Sequence, residues 1–218
     1  FDGNNDYLGI GGPSTEEQSL LVNTAGLDDG KSIFLVPSPR SVSASSGYQT
    51  LYEQGGGARG LSIYLKNNRL YFQGWNEPND GDYSPWGDNS SNYALVQSST
   101  TIQQGETYII SAHYINNQLP TPPDNRGLKL YVNGVLEDTY SGTVGRLYTH
   151  GGRAALGCVW HQSYFDDGPL TGQGVNDPPE RCFDGDIAEM IYFNEPNTNS
   201  GLRMNEPRIQ IIHNHLSA

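Results

Sequence analysis

The stretch Leu128-Lys129-Leu130-Tyr131-Val132-Asn133-Gly134-Val135-Leu136-Glu137-Asp138-Thr139-Tyr140 holds two strand-like runs joined by Asn-Gly. That dipeptide suits the tight type I′ turn, whose central residues both need positive φ and whose twist matches the flanking strands. The stretch therefore reads as a β-hairpin with a well-specified register. A second hairpin lies upstream: Leu61, Ile63 and Leu65 point one way, Asn67-Asn68 supplies a turn, and residues 70–75 return. Working outward, alternation with a period of two recurs from residue 31 onward, the mark of half-buried strands. Residues 106–115 and 154–160 read as further strands. Residues 187–193 form a nearly continuous apolar run between Asp-Gly and Asn-Glu-Pro, expected at the centre of a sheet.

Composition agrees with a turn-rich β protein. Of 218 residues, 27 are Gly and 13 Pro; Lys and Arg together total 12 while Tyr alone reaches 14, which excludes a helical bundle. A length near 220 fits one large all-β domain, so residues 1–218 are read as a single domain. One or two short helices are expected. Residues 14–21 start with a Ser14…Glu17 capping box, and residues 207–216 place Ile209, Ile212 and Leu216 on one face.

Phe1-Asp2-Gly3 with Asp6-Tyr7, then Leu130-Tyr131-Val132-Asn133-Gly134, then Phe183-Asp184-Gly185-Asp186-Ile187-Ala188-Glu189 and a closing helix occur in a set order. In that order the chain resembles laminin-G-like domains of the concanavalin A-like jelly-roll group. The resemblance implies an antiparallel β-sandwich over nearly the whole chain. It does not choose a function, since such domains serve as lectins, protein-binding modules, polysaccharide hydrolases and lyases.

With 24 acidic and 12 basic residues, the formal net charge is −12. This disfavours nucleic acid as a partner. No apolar run is long enough to span a membrane, and residues 1–12 have neither basic head nor apolar stretch, so no signal peptide is read there. The abrupt start in a strand-like segment suggests a module cut from a longer polypeptide. Cys158 and Cys182 bracket one polar loop, each beside an apolar run, and are expected to form a disulfide. A secreted or cell-surface location follows from that bond.

Three segments are longer than turns require: residues 76–92, 116–126 and 161–181. The first and third are rich in acids, amides and glycines. Hard oxygen ligands of this kind suit Ca²⁺, so Asp80 and Asp82, with Asp166 and Asp167 as the alternative cluster, are the expected metal ligands. Rings set in polar loops suit stacking against a sugar face or a peptide side chain. Tyr83, Trp86 and Tyr164, with Asp88, are accordingly the expected ligand-binding residues, whereas Trp75 and Trp160 at strand ends read as core. Counting strand crossings puts segments 76–92 and 161–181 at opposite ends of the sandwich unless 141–153 hides a further crossing.

Catalytic signatures are absent: no G-x-S-x-G, no H-E-x-x-H, and no E-x-D-x-x-E strand. His213 and His215 are two apart and share no helix face. The acidic balance, scarce Lys and Asp-laden loops resemble ligand-binding domains near the tips of large calcium-dependent repeats-in-toxin adhesins of bacteria, some of which hold peptide ends. That resemblance implies a calcium-dependent, non-enzymatic adhesion module, monomeric within a longer chain, binding a peptide or protein terminus on another cell surface. A lectin-type carbohydrate-binding module is the alternative, and a polysaccharide-degrading enzyme the third reading.

Overall fold

The computed structural model describes residues 1–10, 30–43, 47–56, 59–76, 86, 93–116, 127–147, 153–160, 163–166, 168–170, 181–194 and 206–217. Among these the strands are β1 Leu8–Ile10, β2 Gly30–Pro39, β3 Tyr48–Gly55, β4 Arg59–Lys66, β5 Arg69–Asn76, β6 Tyr93–Gln97, β7 Ile110–Ile115, β8 Gly127–Val132, β9 Val135–Tyr140, β10 Arg153–Leu156, β11 Ser163–Phe165, β12 Gly168–Leu170 and β13 Gly185–Asn194. The helix α1 spans Glu206–Leu216. One sheet has the order β1-β10-β3-β4-β5-β6, the other β13-β2-β7-β8-β9, and β11 pairs with β12 as a separate ribbon. All strand pairs are antiparallel. The expected antiparallel β-sandwich is the fold of this chain.

Both hairpins turn where the sequence places them. Asn67 and Asn68 have φ of 48° and 60°, and Asn133 and Gly134 have 50° and 79°. These fix the pairings Leu65↔Leu70 and Val132↔Val135. Alternation then sorts each strand into faces. Leu61, Ile63, Leu65, Leu70, Phe72, Ala94 and Val96 of the six-stranded sheet meet Ile33, Leu35, Ile110, Ala112, Tyr114, Leu128, Leu130 and Val132 of the other.

Residues 187–193 do not lie centrally: among the described strands β13 is at an edge, paired with β2. Its run is apolar on both sides because each side has apolar contacts, partly covering it. Ile187, Met190 and Tyr192 pack on the core, while Ile191 packs with α1. Two strands are shorter than expected. β7 starts only at Ile110, and β10 ends at Leu156, where Gly157 takes φ 87°. The capping-box segment 14–21 lies outside the described residues.

Helix α1 covers the outer face of the five-stranded sheet. Ile209, Ile212 and Leu216, one stripe of the helix, pack with Phe34 and Tyr131. The helix thus places its apolar stripe where β2 and β8 present rings.

Candidate ligand-binding face

The outer face of the six-stranded sheet differs in kind. Ser62, Tyr64 and Lys66 of β4 alternate with the core residues of that strand, and Tyr71, Gln73 and Trp75 do so on β5. Register sets Glu53 opposite Ser62 and Ser62 opposite Gln73, giving a polar row across β3, β4 and β5. All three residues are buried. Burial pushes the Glu53 carboxyl well above the usual carboxylate range, against the one amide, that of Trp160, which donates to its Oε1 at 3.3 Å. Burial thus favours the protonated form of Glu53, which can donate as well as accept a hydrogen bond.

Two ring clusters flank this row. On one side Tyr48, Tyr64 and Phe165 pack together at centroid distances of 5.0–5.8 Å, and Tyr71 stacks on Tyr64 at 5.0 Å. The Arg181 guanidinium sits 4.1 Å from the centroids of both Tyr48 and Phe165. On the other side Tyr164 contacts Trp75 at 6.1 Å and Tyr93 at 5.6 Å. Trp75 lies flat over Gly60, where an added Cβ would meet the indole at 2.5 Å, and its Nε1 donates to the Gly56 carbonyl. Trp75 is buried while Tyr93 and Tyr164 are half-exposed, so the cluster has a fixed base and an open rim. Farther along, Trp160 stacks with Tyr7, which is 39% exposed.

The segment between the cysteines carries β11 over this face. Cys158 and Cys182 are disulfide-bonded, as expected from sequence. Phe165 enters the first ring cluster, Tyr164 reaches the second, and the Tyr164 carbonyl accepts from Ser62 Oγ at 3.3 Å. β11 lies across the sheet, against Tyr48, Tyr64 and Ser62. Tyr164 consequently meets Trp75, one residue before the end of β5.

Two expected site residues take other roles. Trp86 is 2% exposed and belongs to the core, stacked on Tyr114 at 4.9 Å over the bare backbone of Gly74, with Nε1 donating to the Arg146 carbonyl. A ring so enclosed offers no face to a ligand. Asp166, expected as a calcium ligand, pairs with Lys66 at 2.5 Å and accepts from the Tyr64 hydroxyl at 3.2 Å. Burial opposes the charge of Lys66, but hydrogen bonds from its ammonium to Asp166 and Tyr48 outweigh that and hold its pKa above the ordinary value. Among the described residues no three His, Cys, Asp or Glu side chains gather as a metal site. Asp80, Asp82, Tyr83, Asp88 and Asp167 lie outside the described residues.

No protein-family model matches the sequence, and no curated protein is similar to it. Solved structures are similar in fold. The CBM40 of the Ruminococcus gnavus IT-sialidase, solved bound to alpha2,3 sialyllactose, aligns over 97% of this chain and 96% of its own, with a TM-score of 0.55 and 14% identity. The botulinum neurotoxin serotype D binding domain aligns over 99% of this chain and 41% of its own, with a TM-score of 0.54 and 10% identity. At such identities the likeness is one of fold, a jelly-roll-like β-sandwich.

Proposed function

We propose that this chain is a glycan-binding module of lectin type, without catalysis, that binds through the outer face of its six-stranded sheet. The observation that carries the reading is the Trp75, Tyr93 and Tyr164 cluster: rings over a fixed indole base, half-exposed at the rim, beside a row of neutral hydrogen-bonding side chains. Sugar rings pair a C–H face, which stacks on aromatics, with hydroxyls, which need both donors and acceptors. The fold it shares with a CBM40 is consistent with that use. The disulfide favours an oxidising compartment, and hence a secreted or cell-surface module. Among the described residues no helix is long and apolar enough to cross a membrane. Calcium at Asp80 and Asp82, or at the alternative cluster of Asp166 and Asp167, is part of the same proposal, as an ion that would order those acidic segments.

Calorimetric titration with a glycan panel and a peptide panel, each with Ca²⁺ and with chelator, tests the reading. A glycan should bind, and Tyr164→Ala should weaken it by more than about 1 kcal/mol with little loss of fold. Binding confined to peptides would return the chain to a peptide-binding adhesion module. Affinity and melting temperature that ignore the chelator would remove calcium from the account.

A further inference from the structure

Under β11 the sheet carries buried polar atoms without hydrogen-bond partners: Glu53 Oε2, Gln73 Nε2 and Thr50 Oγ1 on the sheet, and Ser163 Oγ on β11 itself. All four residues are 0% exposed. Folded proteins pair nearly all such groups, and a buried group left unpaired points to a missing partner. The Gln73 amide is half used: its Oε1 shares the single Tyr64 hydroxyl hydrogen with Asp166, and its NH₂ has no partner. Strand spacing of about 4.8 Å sets Glu53 and Gln73, two strands apart, about 10 Å from each other, with Ser62 between them. That lateral span matches one sugar ring with its hydroxyls, which can enter only once β11 lifts from the buried row. Ser62 and Gln73 carry no charge and burial disfavours charge on Glu53, so a neutral residue suits this row better than an ionic one.

The strand above is held to the sheet without ladder pairing. β11 pairs with β12 and with neither large sheet, so no backbone ladder joins it to the floor. Its ties include Phe165 in the ring cluster under Arg181, Tyr164 against Trp75 and Tyr93, the long Ser62 Oγ to Tyr164 carbonyl bond, and the contacts of Asp166 with Lys66 and Tyr64. The Cys158–Cys182 bond keeps the segment tethered if those ties break.

We propose that Glu53, Ser62 and Gln73 form a hydroxyl-binding subsite for a neutral sugar residue, roofed by β11 and opened by release of Asp166 from Lys66. The proposal rests on the glycan-binding reading and names the chemistry within it. Side chains now short of partners gain them from the ligand, and Ser62 exchanges a long bond to the roof for one to a sugar hydroxyl.

The test uses the full chain and whichever neutral oligosaccharide the panel identifies. Asp166→Asn, which loosens the roof, should tighten binding severalfold, and Gln73→Leu, which removes the free donor, should weaken it tenfold or more. Amide exchange at residues 163–166 should quicken when the unaltered protein is saturated with the oligosaccharide, a readout that needs no variant to fold. If Tyr164→Ala abolishes binding while Gln73→Leu leaves it unchanged, and exchange at 163–166 slows or stays constant, the subsite is overturned and the glycan-binding reading stands. If no glycan binds even to Asp166→Asn, both fall together.

Discussion

Each sheet of the sandwich has a covered outer face, and the two covers are fastened differently. On the five-stranded sheet, α1 lies on Phe34 and Tyr131, and the polar groups beneath it come in pairs: Ser32 with His113 at 2.7 Å and Ser111 with His213 at 3.0 Å. Each ring also keeps one nitrogen without a partner, so this face too holds unpaired polar atoms. On the six-stranded sheet, the cysteine-bracketed cover rests on a polar row in which a carboxyl oxygen and an amide NH₂ lack partners. The first face is closed mainly by the apolar stripe of α1 on Phe34 and Tyr131. The second is closed over groups that still have bonding capacity, and there the rings stand half-exposed at the rim. A cover over apolar side chains serves stability, whereas a cover over unspent polar groups is the place to seek a ligand.

Mutations should separate the two faces, most strongly on the helix side. Phe34→Ala should cost about 3–5 kcal/mol in denaturant unfolding, since the ring is fully buried between β2 and α1. Trp86→Ala belongs with it, as a core truncation that affects binding only through lost folding. Replacing Cys158 and Cys182 by Ser should cost roughly 3 kcal/mol in the chain-entropy account of a loop this size. Amide exchange should then quicken around residues 163–166 and stay unchanged along α1; loss of protection along α1 instead would mean that the two covers are not independent.

Acid should act on the two faces with opposite sign. Burial holds the pKa of His113 down at about 3, against 6.5 in the unfolded chain, and lowers that of His213 as well. Below 6.5 the unfolded state therefore binds protons that the folded state refuses, so this stability is present above pH 6.5 and is lost as pH falls toward 3. Glu53 runs the other way: its folded pKa lies above the ordinary 4.5, so its contribution is fully present below 4.5 and is lost as pH rises. Each slope is at most about 1.4 kcal/mol per pH unit for one group. Glu53→Gln should gain stability over the parent between pH 5 and 7, and His113→Asn should gain it between pH 6 and 4. Unfolding curves at those pH values check both signs. The smallest stability effect belongs to Tyr164→Ala, under about 1 kcal/mol, although it should have the larger effect on binding.

Much of the architecture was legible because the signals were local. Asn67-Asn68 and Asn133-Gly134 demand positive φ, and the alternation on either side sorts each strand into an inner and an outer face. The disulfide and α1 were readable for similar reasons. The candidate site was far less so. Alternation labels Glu53, Ser62 and Gln73 only as outward-facing, and a polar residue under a cover looks in sequence like one in water. Trp86 was misjudged for the converse reason: a ring in a polar loop reads as exposed, and nothing nearby reveals that the loop returns it to the core above Gly74. The edge position of β13 was hidden because a helix on one face makes an apolar run as continuous as burial inside a sheet would.

The most direct test of the central claim is a two-dimensional amide and indole NMR titration of the chain with the oligosaccharide that binds best. The expected result is shifts concentrated on residues 53, 62, 73, 93 and 163–166 and on the Trp75 indole N–H, with α1 unmoved. Shifts confined to α1 and the β8–β9 hairpin, with the six-stranded sheet silent, would contradict it.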